Sequence, residues 1–168
     1  MAIAPAPLID ETQAAFLQGG VSISAASSGA QAASSFPSLC RVLACEVAPD
    51  RRRLTVLVSR TQAAALLRDV GESGRLAVVF SQPSTHRTLQ IKGEEAQIGP
   101  VTAQQLEAVR QHRDAFVAEV VPLGFADAPV RLLLTCDDDE IVAIRYTPIA
   151  VFDQSPGPRA GNMLRAAP

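Results

Sequence analysis

The segment Ser84-Thr85-His86-Arg87-Thr88-Leu89-Gln90-Ile91-Lys92-Gly93 places three hydroxyls, a histidine and two cations at the head of an otherwise apolar run. Polar groups at this density are costly to bury without partners. The segment is therefore either a binding site or an edge strand with one wet face. Strand alternation puts His86, Thr88, Gln90 and Lys92 on one face and Arg87, Leu89 and Ile91 on the other. A second candidate is Arg41, set in the apolar run Leu39 to Val47, where a guanidinium needs a partner. The acidic run Asp137-Asp138-Asp139-Glu140 has the oxygens to surround a divalent cation, although a solvated turn is the commoner use of such a run.

Other chemistries lack their residues. The sequence holds no G-x-G-x-x-G after a strand, no phosphate-binding P-loop, no H-E-x-x-H and no C-x-x-C. The two histidines, His86 and His112, are too few for a multi-histidine metal site, and no G-x-S-x-G elbow accompanies them. His112, beside Arg110 and Arg113, reads as solvent-facing. Cys40 and Cys45 are five residues apart and on a strand would point to opposite faces; with Cys136 they read as buried apolar thiols rather than a disulfide framework.

The chain has 168 residues, a formal net charge of −2, 48% apolar and 4% aromatic residues. Its length suits one domain with one core. The small net charge gives no global attraction to phosphate backbones or anionic lipid, and the lack of aromatics removes a stacking platform for single-stranded nucleic acid. No nucleic-acid or membrane partner is expected. The start of the chain has no basic region ahead of an apolar run, and no stretch reaches the ~20 apolar residues of a membrane span; a cytoplasmic location is expected.

The elements that must hold these residues follow from periodicity and caps. Residues 1 to 8 are a Pro- and Ala-rich leader. Asp10 caps a short helix through Gln18, which Gly19-Gly20 ends. Val21, Ile23 and Ala25 alternate with small residues as a half-buried strand, and the polar stretch through Ser35 is a loop. Leu39 to Val47, apolar on both faces, is expected as a central strand. Pro49-Asp50-Arg51 turns it into a return strand, Leu54 to Ser59. Thr61 is expected to cap a helix from Gln62 to Val70 that stops at Gly71. Arg75 to Ser81 and Thr85 to Ile98 are further strands, the latter with a bulge or close backbone approach at Gly93. Thr102 and Gln105 form a capping box ahead of Leu106, Val109, Phe116 and Val120. Ala128 to Thr135 is open between helix and strand, and Ile141 to Phe152 is the last strand. The order predicts an α+β fold, a mostly antiparallel six-stranded split β-barrel with flanking helices over residues 1 to 154, followed by an extended Pro- and Gly-rich C-terminal tail over 155 to 168.

From about Phe16 to Phe152, with this element order and the run Pro83 to Gly93, the chain resembles the pyridoxamine 5'-phosphate oxidase-related family of flavin-binding split barrels. The tail from Phe152 to Gly161 is similar to a poorly characterised branch of it. The resemblance implies a homodimer with flavin mononucleotide (FMN) in clefts between subunits. It places phosphate contacts on Arg41, on Ser59, Arg60, Thr61 and Gln62, and on Thr85, His86, Arg87 and Thr88. Guanidinium forks and free amides at a helix N-terminus suit a phosphate. Where oxidases of this family carry an Arg-Lys pair in the first turn of the short helix, this chain has Gln62 and Ala63. The C-terminal arginine motif that holds the substrate of the true oxidases is also absent. The expectation is an FMN-dependent oxidoreductase of unstated substrate. The alternative is a non-catalytic split-barrel module that binds haem or a flavin-like ligand and acts as a dimer, with His86 as the axial ligand for haem. The tail is expected to lie over the partner subunit.

Overall fold

The computed structural model describes residues 6–29 and 36–167. The leader as far as residue 5 and the loop over 30–35 lie outside them. The element order is α1 (Glu11–Leu17), β1 (Ser22–Ser27), β2 (Ser38–Arg41), β3 (Ala44–Val47), β4 (Leu54–Ser59), α2 (Ala64–Ser73), β5 (Leu76–Ser81), β6 (Thr88–Gly99), α3 (Ala103–Val120), α4 (Asp127–Leu133), β7 (Ile141–Asp153) and β8 (Asn162–Ala166). All pairings are antiparallel, in the order β2-β1-β5-β6-β7-β4-β3. Where β4 leaves the edge of β7, β8 takes it over from Ala150 to Asp153. The sheet is thus α+β and barrel-like as expected, with eight strands among the described residues instead of six.

One difference concerns the run Leu39 to Val47. It is not a central strand. It breaks at Val42-Leu43 into β2 and β3, which form the two opposite ends of the sheet. The Val42 N–H donates to Ile23 O of β1 at 3.0 Å, and the adjacent Leu43 N–H donates to Leu57 O of β4 at 2.7 Å. Consecutive amides therefore join both ends, and the sheet curls into a half-barrel. The run is apolar on both faces because two bodies cover it. Cys40, Val42 and Cys45 belong to the barrel core, whereas Leu43 and Ala44 pack with Leu57, Val109 of α3, Ile141 and Ala143.

The barrel interior is filled by alternating residues: Ile23 and Ala25 of β1, Leu76, Val78 and Phe80 of β5, Leu89 and Ile91 of β6, and Ile144 and Tyr146 of β7. Fully burying a residue such as Leu54, Leu66 or Phe80, each at most 1% exposed, contributes roughly 1.5–3 kcal/mol. Gly93 carries both properties expected of it. The register shifts between Lys92 and Gly93, and a Cβ there would stand 2.1 Å from Tyr146 Cδ2.

Helix boundaries show which side chains won the caps. Asp10 and Thr102 both make capping boxes, with Gln13 and Gln105 respectively. Thr61 does not cap α2. Ser59 Oγ accepts from Gln62 N at 3.3 Å, residues 60–63 form a turn, and α2 begins at Ala64 and runs through Gly71 to a left-handed Gly74. The stretch from Ala128 to Thr135, open in the sequence, resolves into the helix Asp127–Leu133, held by an Asp127–Arg131 pair one turn apart. The acidic run forms a 3-10 turn leading into β7. The tail returns along its own chain: Gly161 N donates to Asp153 O at 2.7 Å and Asn162–Ala166 pairs with β7.

Candidate functional site

The expected site residues fall into two groups. The first surrounds the β4–α2 junction. Arg41 lies two residues before Leu43, which bonds Leu57, and Ser59 lies two residues beyond Leu57. Arg41 itself ends β2, where it pairs with Ser24 of β1, and the step through Val42 and Leu43 brings the chain from there to β4. The hydroxyls of this group are committed elsewhere. Ser59 Oγ serves Gln62 N, Thr61 Oγ1 donates to Glu140 Oε2 at 2.6 Å, and the Arg60 N–H donates to Glu140 O at 2.7 Å. Among the described residues the guanidinium groups of Arg41 and Arg60 have no hydrogen-bond or ion-pair partner, while a carboxylate sits on the threonine beside them.

The second group lies at the head of β6. Thr85, His86 and Arg87 precede the strand, so the alternation that places His86 on one face with Thr88 holds only from Thr88 onward. Gln82 N donates to Arg87 O and His86 N to Gln82 O, both at 2.9 Å, closing a tight hairpin in which exposed His86 adopts φ 59°. That left-handed conformation is uncommon for a non-glycine residue. The hydroxyls again hold the turn. Thr85 Oγ1 bonds Gln82 Oε1 and accepts from Arg87 N, and Thr88 Oγ1 donates to His86 O. Ser84 is tied to Glu119 of α3, whose carboxyl is held below its ordinary range, chiefly by the Ser84 hydroxyl.

Arg87 is the exception. Its guanidinium lies 4.3 Å from the centre of the Phe16 ring, a cation–π contact, and it makes no hydrogen bond among the described residues. It lines a cleft of about 620 Å³ with His86 and Thr85, with Gln13 of α1, and with Asp153, Ser155 and Arg159 of the C-terminal segment. The last four were missed in the sequence, where the tail reads as an extended segment over the partner subunit and Gln13 as one residue of a short helix. Thr88 N donates to Ser155 Oγ at 3.0 Å and Gln154 N to Thr88 O at 2.9 Å, so the segment is anchored to the head of β6. The Asp153 carboxyl is held below its usual range by hydrogen bonds from Ser155, with Arg159 and Arg87 adding to the effect.

The two groups do not meet in one chain. Ser59 pairs with Ile141 at the start of β7, whereas Leu89 pairs with Asp153 at its end. The 13 residues of β7 span roughly 40 Å from one pair to the other.

No family model and no curated protein matches the chain. Among solved structures, an F420 reductase matches with TM-score 0.56 and 15% identity, covering 85% of this chain and 98% of that one. HupZ of Group A Streptococcus matches with TM-score 0.53 and 11% identity over 92% of this chain and 100% of that one. A candidate pyridoxamine 5'-phosphate oxidase of Lactobacillus delbrueckii matches with TM-score 0.50 and 12% identity over 86% and 93%. The chain has the split-barrel fold.

Elsewhere in the split barrel, two thiols and a histidine are buried in the interior. Burial pushes the Cys40 thiol up to about 11 and the Cys45 thiol higher still, so neither is a thiolate nucleophile near neutral pH. His112 is not solvent-facing. It is buried, stacks on Phe116 with ring centroids 6.5 Å apart, and has its pKa lowered from 6.5 to about 4 by desolvation, partly offset by the backbone of Gly19 and Val21. His112 is three residues after Val109 and four before Phe116, so it shares the apolar face of α3. Among the described residues no cluster of His, Cys, Asp and Glu could hold a metal, and no helix is long and apolar enough to cross a membrane.

Proposed function

We propose that this split barrel binds flavin mononucleotide between the two subunits of a homodimer and works as a flavin-dependent oxidoreductase. The observation that carries this reading is the separation of the two groups of site residues along β7. Ser59–Gln62 lie at one end and Thr85–Thr88 at the other, farther apart along the strand than a mononucleotide spans. A two-fold copy brings the head of one strand beside the tail of its partner, so that one ligand meets one group from each chain. The solved structures of the same fold support the choice of cofactor class. A bound isoalloxazine supplies the redox chemistry, and the chain supplies orientation, charge and exclusion of water.

The residues fit a flavin phosphate through guanidinium groups rather than hydroxyls. Arg41, Arg60 and Arg87 have no internal acceptor among the described residues, whereas the hydroxyls of Ser59, Thr61, Thr85 and Thr88 are engaged within the chain. The test is the visible spectrum of the purified protein together with titration of FMN fluorescence. Flavin absorption, or quenching at micromolar protein, is the expected result. A colourless protein that leaves FMN fluorescence unchanged rejects the reading.

A second reading, a non-catalytic module for haem or a flavin-like ligand, is favoured by one contact. Glu140 sits on Thr61 beside Gln62 and Ala63, where a phosphate would be repelled. With His112 buried, His86 on the cleft rim is the available axial ligand for haem. A Soret band on haem addition that is lost in His86→Ala supports this reading; its absence removes haem.

A further inference from the structure

We propose that the cleft between α1, the β6 hairpin and the C-terminal segment is a phosphate-monoester site, with Arg87 and Arg159 as the groups that hold the anion. This deepens the flavin reading by placing the anionic end of the ligand away from the β4–α2 junction, although the site's chemistry does not require the ligand to be a flavin.

Charge and hydrogen-bonding capacity both point there. The cleft of about 620 Å³ is lined by two guanidinium groups and a single carboxylate, Asp153, in a chain whose net charge is −2. That carboxylate is already served by the Ser155 N–H at 2.9 Å, and Arg159 Nε forms only a long ion pair with it at 3.8 Å, beyond hydrogen-bond distance. Arg159 is 81% exposed and makes no hydrogen bond through its side chain among the described residues. Arg87 is oriented by the Phe16 ring and likewise keeps all its donors free. Guanidinium forks match two oxygens of one phosphate, and two of them around one residual negative charge leave a net attraction for an added anion. The β4–α2 junction has the opposite balance: its threonine already holds the Glu140 carboxylate, and Asp137 and Asp139 stand in the same turn beside Asp138, which Arg110 pairs at 2.6 Å.

The site also explains why the C-terminal segment returns. Its bonds from Ser155 and Gln154 to Thr88, and from Gly161 to Asp153, fold residues 155–161 over the head of β6 and carry Arg159 to the cleft. Without that fold-back, Arg87 would face solvent alone.

The experiment uses the full chain, its Arg159→Glu and Arg87→Gln variants, and three probes: FMN, riboflavin and inorganic phosphate. Arg159→Glu alters an exposed side chain and keeps the test valid if Arg87→Gln, which disturbs the Phe16 contact, misfolds. The expected result is FMN affinity weakened roughly tenfold or more in the variants, with riboflavin binding, which lacks the phosphate, unchanged within twofold. FMN binding equally well to wild type and variants overturns the proposal while leaving the flavin reading intact. If wild type binds no flavin, that reading fails and phosphate decides. A thermal shift with millimolar phosphate that vanishes in Arg159→Glu supports the site, and an equal or absent shift overturns it.

Discussion

A methyl group on residue 93 would lie 2.1 Å from Tyr146 Cδ2 and 2.8 Å from the Thr147 carbonyl oxygen. Since the second neighbour is backbone, rotation of the tyrosine cannot relieve the contact. Gly93→Ala is expected to lower stability by about 2–3 kcal/mol, read as a fall in the urea midpoint. This position was legible because a glycine inside an alternating strand has few other uses. His112 was not, since its charged neighbours outweighed its place on the apolar face of α3. Its pKa, lowered from 6.5 in the unfolded chain to about 4 in the folded one, means that between those values the unfolded state binds a proton that the folded state refuses. The stabilisation is complete above pH 6.5 and is lost as pH falls toward 4, by about 3 kcal/mol in all. Urea unfolding at pH 7 and pH 4.5 should show this loss, and His112→Leu should reduce the difference between the two midpoints. An unchanged difference would remove His112 as its source.

At the scale of elements, α3 tests how much a cap contributes. Thr102 Oγ1 accepts from Gln105 N at 3.2 Å and Gln105 Oε1 accepts from Thr102 N at 3.0 Å, while Gln105 Nε2 reaches Glu46 of β3 at 2.8 Å. Thr102→Ala is expected to cost about 1 kcal/mol. Gln105→Ala should cost more, about 2 kcal/mol, because it also leaves the tie to β3 unmade. Thermal unfolding of the two variants should rank them in that order. This helix could be read from sequence because its cap, periodicity and stop agree. The second helix could not be bounded as well, because Ser59 and Thr61 are both suitable caps and only the position of Glu140 decides between them. Leu39 to Val47 misled for a related reason: apolar residues on both faces report burial without saying whether the cover is sheet or helix. Here α3 is the cover, and the break at Val42-Leu43 has no glycine or proline to announce it.

For the whole molecule, the antiparallel barrel and its two polar groups were visible in the residues, but their placement at opposite ends of β7 required the strand register. A ligand held by both ends of a two-fold pair must favour that pair, and the pair must favour the ligand by the same factor. Sedimentation velocity at low micromolar protein should therefore show more dimer when FMN is added, and FMN titrations should tighten as protein concentration rises. Identical sedimentation with and without bound FMN would place the flavin within one chain. The junction at Val42-Leu43 adds a constraint on how the chain reaches this state. Its two amides need β1 and β4 in position together, and β1 is held by β5 whereas β4 is held by β7. Loop closure over so long a separation is entropically slow. During synthesis the barrel must stay open until β7 has left the ribosome, with the apolar run on either side of the junction waiting for a strand from the last sixth of the chain.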